Sequence, residues 1–400
     1  MTSKLDITPF IPQESALQRH GIFDLVTQLD RQAARLTGMM PTESADTIRR
    51  HMSVINSYYS NLIEGNRTLP HEIREAQRGH YSEDPVKRDH QLESVAHIKV
   101  QEWIEGQELT LETVCSTEFI LALHRRFYEG LPETLRQVHD ESGVVAMVEP
   151  GHWRQQNVKV GRHIPPDAQG LVSLMEGFCN EYRSARYSGH SRLIGLACAH
   201  HRFLWIHPFM DGNGRVVRLW TDALFRAVGL ESYGIWCLSR GLARQSSDYK
   251  AALAQADYPR QGETDGRGYL SQERLALFCK FILEIALDQV SYMTDLLALD
   301  GLRARMRSYI EARNDGRIPG MIGKHKPITA LLLYNAFLAG SLERADAIEL
   351  TGMPERSARR LLAQLKEDGL LSETSSRSPL KWEIPEHAEP FYFPQLAPGA

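Results

Sequence analysis

The chain's 400 residues, 42% apolar and 24% charged, suffice for two or three packed domains and exclude global disorder. A formal net charge of −4 excludes a strongly basic nucleic-acid binder as the identity of the whole chain, leaving only a local basic face for such a role. Five scattered cysteines (Cys115, Cys179, Cys198, Cys237, Cys279) form no Cys-x-x-Cys pair, which excludes a zinc ribbon or redox motif and predicts reduced, buried thiols.

The N-terminal stretch MTSKLDITPFIPQES has no apolar signal core, and no apolar run approaches the ~20 residues of a membrane span. A cytoplasmic protein without membrane contact is the expectation. Helical periodicity then dominates. Ile22, Leu25, Val26, Leu29, Ala33 and Leu36 share one face of a first helix. Ile48, Met52, Ile55, Tyr59 and Leu62 share a face of a second, which Gly65 stops in SNLIEGN. The spacing also predicts helices over 86–103, 113–128, 167–182, 191–206, 214–228 and 271–299.

One segment breaks the pattern. Short β-branched runs separated by Pro-Gly over 143–165 predict a hairpin-like flap. The Gly- and Pro-rich stretch 313–327 reads as a linker. Beyond it, helices over 328–339, 343–351 and 354–366, with Pro354 at the first helical position, precede two short strands within 371–384. Three helices and a hairpin form the layout of a winged helix-turn-helix. The predicted fold class is therefore mainly α: a helical bundle with a β-hairpin flap, followed by a C-terminal winged helix-turn-helix domain.

The chemistry concentrates in LWIHPFMDGNGRVVR, residues 204–218. Gly212, Asn213 and Gly214 expose consecutive backbone amides at the start of a helix, where the dipole also favours an anion. Arg215 and Arg218, three apart, present two guanidinium forks on one face, suited to polyphosphate oxygens. Asp211 would repel those phosphates unless a cation such as Mg²⁺ lay between. His207 is the nearby side chain able to act as a general base near neutral pH. A P-loop is absent. Metal binding by His200, His201 and His207 is the rival reading, strained because adjacent helical residues diverge by about 100°.

The run His207 to Arg218 resembles the signature of the Fic family, His-x-Phe-x-Asp/Glu-Gly-Asn-Gly-Arg-x-x-Arg, and matches it completely. The resemblance extends over roughly residues 20 to 300. It implies a protein adenylyltransferase that moves AMP from ATP, with Mg²⁺, to a Ser, Thr or Tyr hydroxyl of a target protein or of itself. By resemblance, His207 is the base, Phe209 anchors the loop, and Asp211 holds the metal. The amides of Gly212, Asn213 and Gly214 bind phosphate, aided by Arg215 and Arg218, and Gly214-Arg215 points away from the phosphate-transferring Doc branch. Tyr249 is a further candidate beside the adenine. Val158, Lys159, Val160, Gly161, Arg162 and His163 form the flap edge where a target of unknown identity docks as an extended strand.

Ser60, Glu64 and Gly65 resemble the family's inhibitory motif. Glu64 stands at a helix C-terminus, where the dipole disfavours a carboxylate. Pairing of Glu64 with Arg218 is expected to keep the enzyme off. The chain then divides into an N-terminal region carrying the inhibitory helix (1–110), a catalytic core with following helices (111–312), the linker 313–327 and the winged helix domain (328–400). Arg356, Arg359 and Arg360 give helix 354–366 a basic side that suits DNA, although 324–400 contains nine Lys/Arg against ten Asp/Glu. A DNA-binding regulator with a nucleotide-sensing domain is the alternative function, as is an enzyme that removes AMP. A homodimer is the remaining partner to be considered.

Overall fold

A computed structural model describes residues 7–140, 143–183, 189–321 and 323–396. The chain divides into two units, one drawn from 1–31, 56–233 and 237–289, the other from 32–55, 234–236 and 290–400. In chain order the helices begin with α1 (Glu14–Arg19), α2 (Ile22–Thr37), α3 (Thr42–Ile63), α4 (Pro70–Gln77) and α5 (Pro85–Glu105). They continue with α6 (Leu111–Val114), α7 (Thr117–Tyr128), α8 (Leu171–Tyr182), α9 (His190–Ile206) and α10 (Asn213–Ala227). Next come α11 (Leu238–Arg244), α12 (Ser246–Ala256) and α13 (Gln272–Leu296). Helices α2, α3 and α13 contribute to both units.

At the centre of the first unit α10 packs against α9, α7, α6 and α5. Val216, Val217, Leu219, Trp220, Ala223 and Phe225 of α10 are fully buried. Each large apolar side chain removed from water contributes about 1.5–3 kcal/mol, which fixes α10 and the turn that precedes it. The helix expected over 113–128 is broken in two, because Ser116 turns out of helical geometry and its hydroxyl accepts from the Phe119 N–H. The small antiparallel pair β1 (Gln137–Asp140) and β2 (Gly143–Met147) lies upstream of most of the expected flap. Residues 158–163 are not strands. They form a tight turn closed by reciprocal bonds between Val160 and His163, with Gly161 at φ 60°.

The second unit contains α14 (Leu299–Asn314), α15 (Ile328–Ala339), α16 (Arg344–Thr351), α17 (Glu355–Glu367) and α18 (Glu389–Tyr392). An antiparallel pair, β3 (Leu371–Ser372) and β4 (Lys381–Trp382), follows α17. Pro354 is the cap before α17 rather than its first residue. The stretch 313–327 is not a free tether. Asn314 and His325 exchange two hydrogen bonds of 2.7 and 2.8 Å, and Arg313 and His325 both reach the Asp368 carboxylate, at 2.6 and 3.0 Å. Among the described residues, no helix is long and apolar enough to cross a membrane.

Candidate active site

The end of α9 and the start of α10 bring the motif together. His207 caps α9 in the left-handed region (φ 50°, ψ 65°), which turns the chain sharply into Pro208 and Phe209. Phe209 is fully buried and stacks on His124 at 3.9 Å. Asn213 then staples the turn: its Oδ1 accepts from the Phe209 N–H and its Nδ2 donates to the Phe209 carbonyl, both at 2.9 Å. The asparagine side chain thus rigidifies the turn at the start of α10. Gly212 caps α10 at φ 78°, and a Cβ there would lie 2.7 Å from the Tyr128 ring. Only glycine fits.

Burial lowers the His207 imidazole to about 4, so it is neutral at pH 7. Asp211 sits half-exposed beyond the turn. Burial alone would raise its carboxyl, but Arg215 and the Tyr128 hydroxyl hold it below the usual range. Tyr128 Oη donates to Asp211 Oδ2 at 2.5 Å, and Arg215 Nη2 donates to the same oxygen at 3.2 Å. Arg215 is itself buried, lies over the Phe127 ring at 4.8 Å, and donates through Nη1 to Glu93 Oε1 at 2.5 Å. Glu93 Oε2 in turn accepts from Asn66, just past Gly65, at 3.1 Å.

Arg218 is 2% exposed. Its Nη2 donates to Glu64 Oε1 at 2.7 Å and to the Ser60 carbonyl at 2.9 Å, while Nε donates to Ser60 Oγ at 2.9 Å. Burial would raise the Glu64 carboxyl, but Arg218 and then Arg215 keep it below the ordinary value. Gly214 makes room for this pair, since a Cβ there would collide with Glu64 Oε1. Gly65, at φ 96°, ends the helix turn that delivers Glu64. One turn deeper, Asn56 Nδ2 donates to Asp222 Oδ2 at 2.7 Å. Contacts from Asn56, Ser60 and Glu64 therefore meet α10 at Asp222, Arg218 and Gly214, every fourth residue on each helix running in opposite directions.

Tyr249 is buried and offers no open face to a base. Its hydroxyl is 2.7 Å from His200 Nε2, while His200 Nδ1 is 2.7 Å from Thr221 Oγ1. The Thr221 proton goes to the Val217 carbonyl, so His200 donates through Nδ1 and accepts from Tyr249 through Nε2. Burial lowers His200 to about 3, fixing it neutral. His201 is committed to Asp257 at 3.0 Å. Neither histidine is available to a metal, and no group of three or more His, Cys, Asp or Glu among the described residues could hold one. Asp211 alone remains, a donor set that suits Mg²⁺ carried mainly by phosphate and water oxygens.

In the turn 158–163, Lys159, Val160, Gly161 and Arg162 are exposed, whereas His163 faces inward, its Nε2 donating to the Trp205 carbonyl at 2.7 Å. Arg356, Arg359 and Arg360 are exposed on α17, with Arg359 paired to Glu355. The sequence reading passed over Tyr128, Glu93 and Arg154, which hold Asp211, Arg215 and the His207 backbone. Each is distant in the chain and carries no local signal.

Residues 114–225 match the model of the Fic/DOC family. The chain is similar to the protein adenylyltransferase Fic of Drosophila willistoni, 28% identical over 206 residues that make up 51% of this chain and 38% of that protein. It is also similar to the Drosophila virilis protein of the same name, 30% identical over 43% of this chain and 32% of that one. It thus spans about a third of the length of these curated relatives. Among solved structures, a Fic family protein from Desulfovibrio desulfuricans G20 superposes with a TM-score of 0.53 at 20% identity, covering 91% of this chain and 96% of that one. Fic-1 from C. elegans superposes with a TM-score of 0.53 at 16% identity, covering 70% and 73%. These two likenesses speak for the fold. Segment 114–225 thus resembles the Fic/DOC family, and the chain is distantly similar to the protein adenylyltransferases.

Proposed function

We propose that the protein is an adenylyltransferase that transfers AMP from ATP to a hydroxyl of a target protein, held in check by Glu64. The observation that carries this reading is the occupancy of Arg218. A buried guanidinium on the helix that starts at the glycine turn is taken by the Glu64 carboxylate, just past the end of α3, at 2.7 Å, and the same fork would suit a phosphate oxygen.

In the proposed reaction, neutral His207 accepts the proton of the target hydroxyl, whose oxygen attacks the α-phosphorus. The new O–P bond forms as the bond to the bridging α–β oxygen breaks, and pyrophosphate leaves. The amides of Gly212, Asn213 and Gly214, with the α10 dipole, stabilise the phosphate charge. Asp211 would hold Mg²⁺, which supplies charge neutralisation between the phosphates when bound. Glu64 must leave Arg218 before ATP sits productively. The exposed turn 158–163 would receive the target as an extended segment.

The test uses [α-³²P]ATP and [γ-³²P]ATP. Glu64→Gly is expected to label protein from the α label only, above the unaltered chain, and His207→Ala to abolish it. Equal labelling of Glu64→Gly and the unaltered chain would reject the inhibitory role. The three helices α15–α17 with β3 and β4 support a winged helix, whose DNA contacts would come from Arg356 and Arg360, with Arg359 diverted to Glu355. A salt-sensitive DNA shift that survives His207→Ala, without labelling, would favour the regulator.

A further inference from the structure

Beside the catalytic turn lies an arginine used by none of the chemistry above. Arg154 is 2% exposed, yet its guanidinium meets no carboxylate among the described residues. It donates only to main-chain carbonyls. Nε reaches His207 O at 2.8 Å, Nη1 reaches Gln156 O at 2.9 Å, and Nη2 reaches Pro166 O and, at 3.4 Å, Ile206 O. Its own N–H donates to Pro208 O at 2.9 Å.

These acceptors fall in two groups. Gln156 and Pro166 bracket the exposed turn 158–163, while Ile206, His207 and Pro208 are the backbone that presents the base. One buried guanidinium ties both ends of the loop to the catalytic turn. Asp167 supplies an opposite charge nearby but accepts no hydrogen bond from it. Burying a charge without a bonded counter-ion is costly, and packing alone would be better served by an apolar side chain. A left-handed conformation at a non-glycine residue is strained and persists only when its surroundings over-determine it. His207 is such a residue, and Arg154 grips its carbonyl. The inward-facing His163 adds a second tie, to Trp205 O.

We propose that Arg154 is the positioning residue through which docking of a target on the turn 158–163 sets the placement of the His207 imidazole. This rests on the transfer reading above. An extended segment pairing with the turn immobilises 156–166, and Arg154 passes that constraint to 206–208. A lysine cannot replace it, since one ammonium cannot span carbonyls on both sides in a planar fork.

Three measurements test the coupling. In the unaltered chain, deuterated and ¹⁵N-labelled, the Arg154 Nε–H should resist exchange with water, and exchange as fast as that of exposed Arg162 would overturn the proposal. In Arg154→Lys, modification of His207 by diethyl pyrocarbonate, followed by mass spectrometry, should accelerate severalfold. An unchanged rate in a folded variant would refute the coupling. In a Glu64→Gly background, Arg154→Lys should lower the transfer rate at saturating ATP on the order of a hundredfold while ATP affinity stays within about twofold. A loss falling wholly on affinity would count against positioning. If the Glu64→Gly parent transfers nothing, the transferase reading fails and the first two measurements still decide the role of Arg154. If Arg154→Lys does not fold, the exchange measurement decides.

Discussion

Gly214 and Glu64 offer a prediction in which one substitution changes sign with its background. Arg218 is 2% exposed and the Glu64 side chain 36%, so their 2.7 Å contact is a charge-assisted bond at the edge of solvent. Discounted for that exposure, its loss in Glu64→Ala costs about 1–2 kcal/mol. Gly214→Ala places a Cβ against Glu64 Oε1 and 3.1 Å from Arg218 Nη1, displacing the carboxylate and losing the same contact. Against that loss stands a helix-propensity gain of about 0.5 kcal/mol, at the low end because Gly214 lies in the first turn. Gly214→Ala should therefore destabilise the unaltered chain by about 1 kcal/mol and stabilise Glu64→Ala by about 0.5 kcal/mol. In thermal melts this is a fall of about 1–2 °C in the first background and a rise of about 0.5–1 °C in the second. The contact itself has a pH signature. The Glu64 carboxyl lies below its ordinary 4.5 in the folded chain, so the stabilisation is present above pH 4.5 and disappears as pH falls further. Equal losses from Gly214→Ala in both backgrounds would refute the reasoning, because the collision would then not involve Glu64.

Two further outcomes follow from burial. Gly212→Ala forces a side chain into φ 78° and against the buried Tyr128 ring, costing about 1–2 kcal/mol for the backbone and about 1–3 kcal/mol for overpacking; a melting temperature unchanged from the parent would contradict the geometry. His97, His124 and His200 are lowered to about 3 and His201 to about 4, all by burial, so the unfolded chain takes up protons below pH 6.5 that the folded chain refuses. Asp222, raised by burial to about 6, opposes them singly. The urea midpoint should fall between pH 7 and pH 5, and a flat or rising midpoint would show that these imidazoles are not held neutral.

What the sequence made legible was local. His207 to Arg218 are contiguous, and the geometry of a glycine turn feeding a helix is written within a dozen residues. Glu64 stood out by its resemblance to an inhibitory motif, with the helix dipole as a minor sign, and Arg218 was expected as its partner on charge. The partners that hold the site were illegible for the opposite reason. Tyr128, Glu93 and Arg154 reach it across 83, 122 and 53 residues, and their periodicity reports only helix or turn. Tyr249 was a candidate to lie beside the adenine, yet it is buried and its hydroxyl meets His200. The flap was expected where β-branched residues cluster, but a two-residue closure at Val160 and His163 satisfies the backbone without a strand.

The spacing of Asn56, Ser60 and Glu64 along α3 has a consequence for how the contact opens. Each is four residues, about 6 Å along the axis, from the next, and the outermost lies just past the last helical residue, Ile63. Fraying of a helix proceeds from its end, so Glu64 detaches while Ser60 still grips Arg218 and Asn56 still grips Asp222. Release is then a one-turn unravelling with the helix axis left in place. A competing anion at Arg218 has to offset only that last rung.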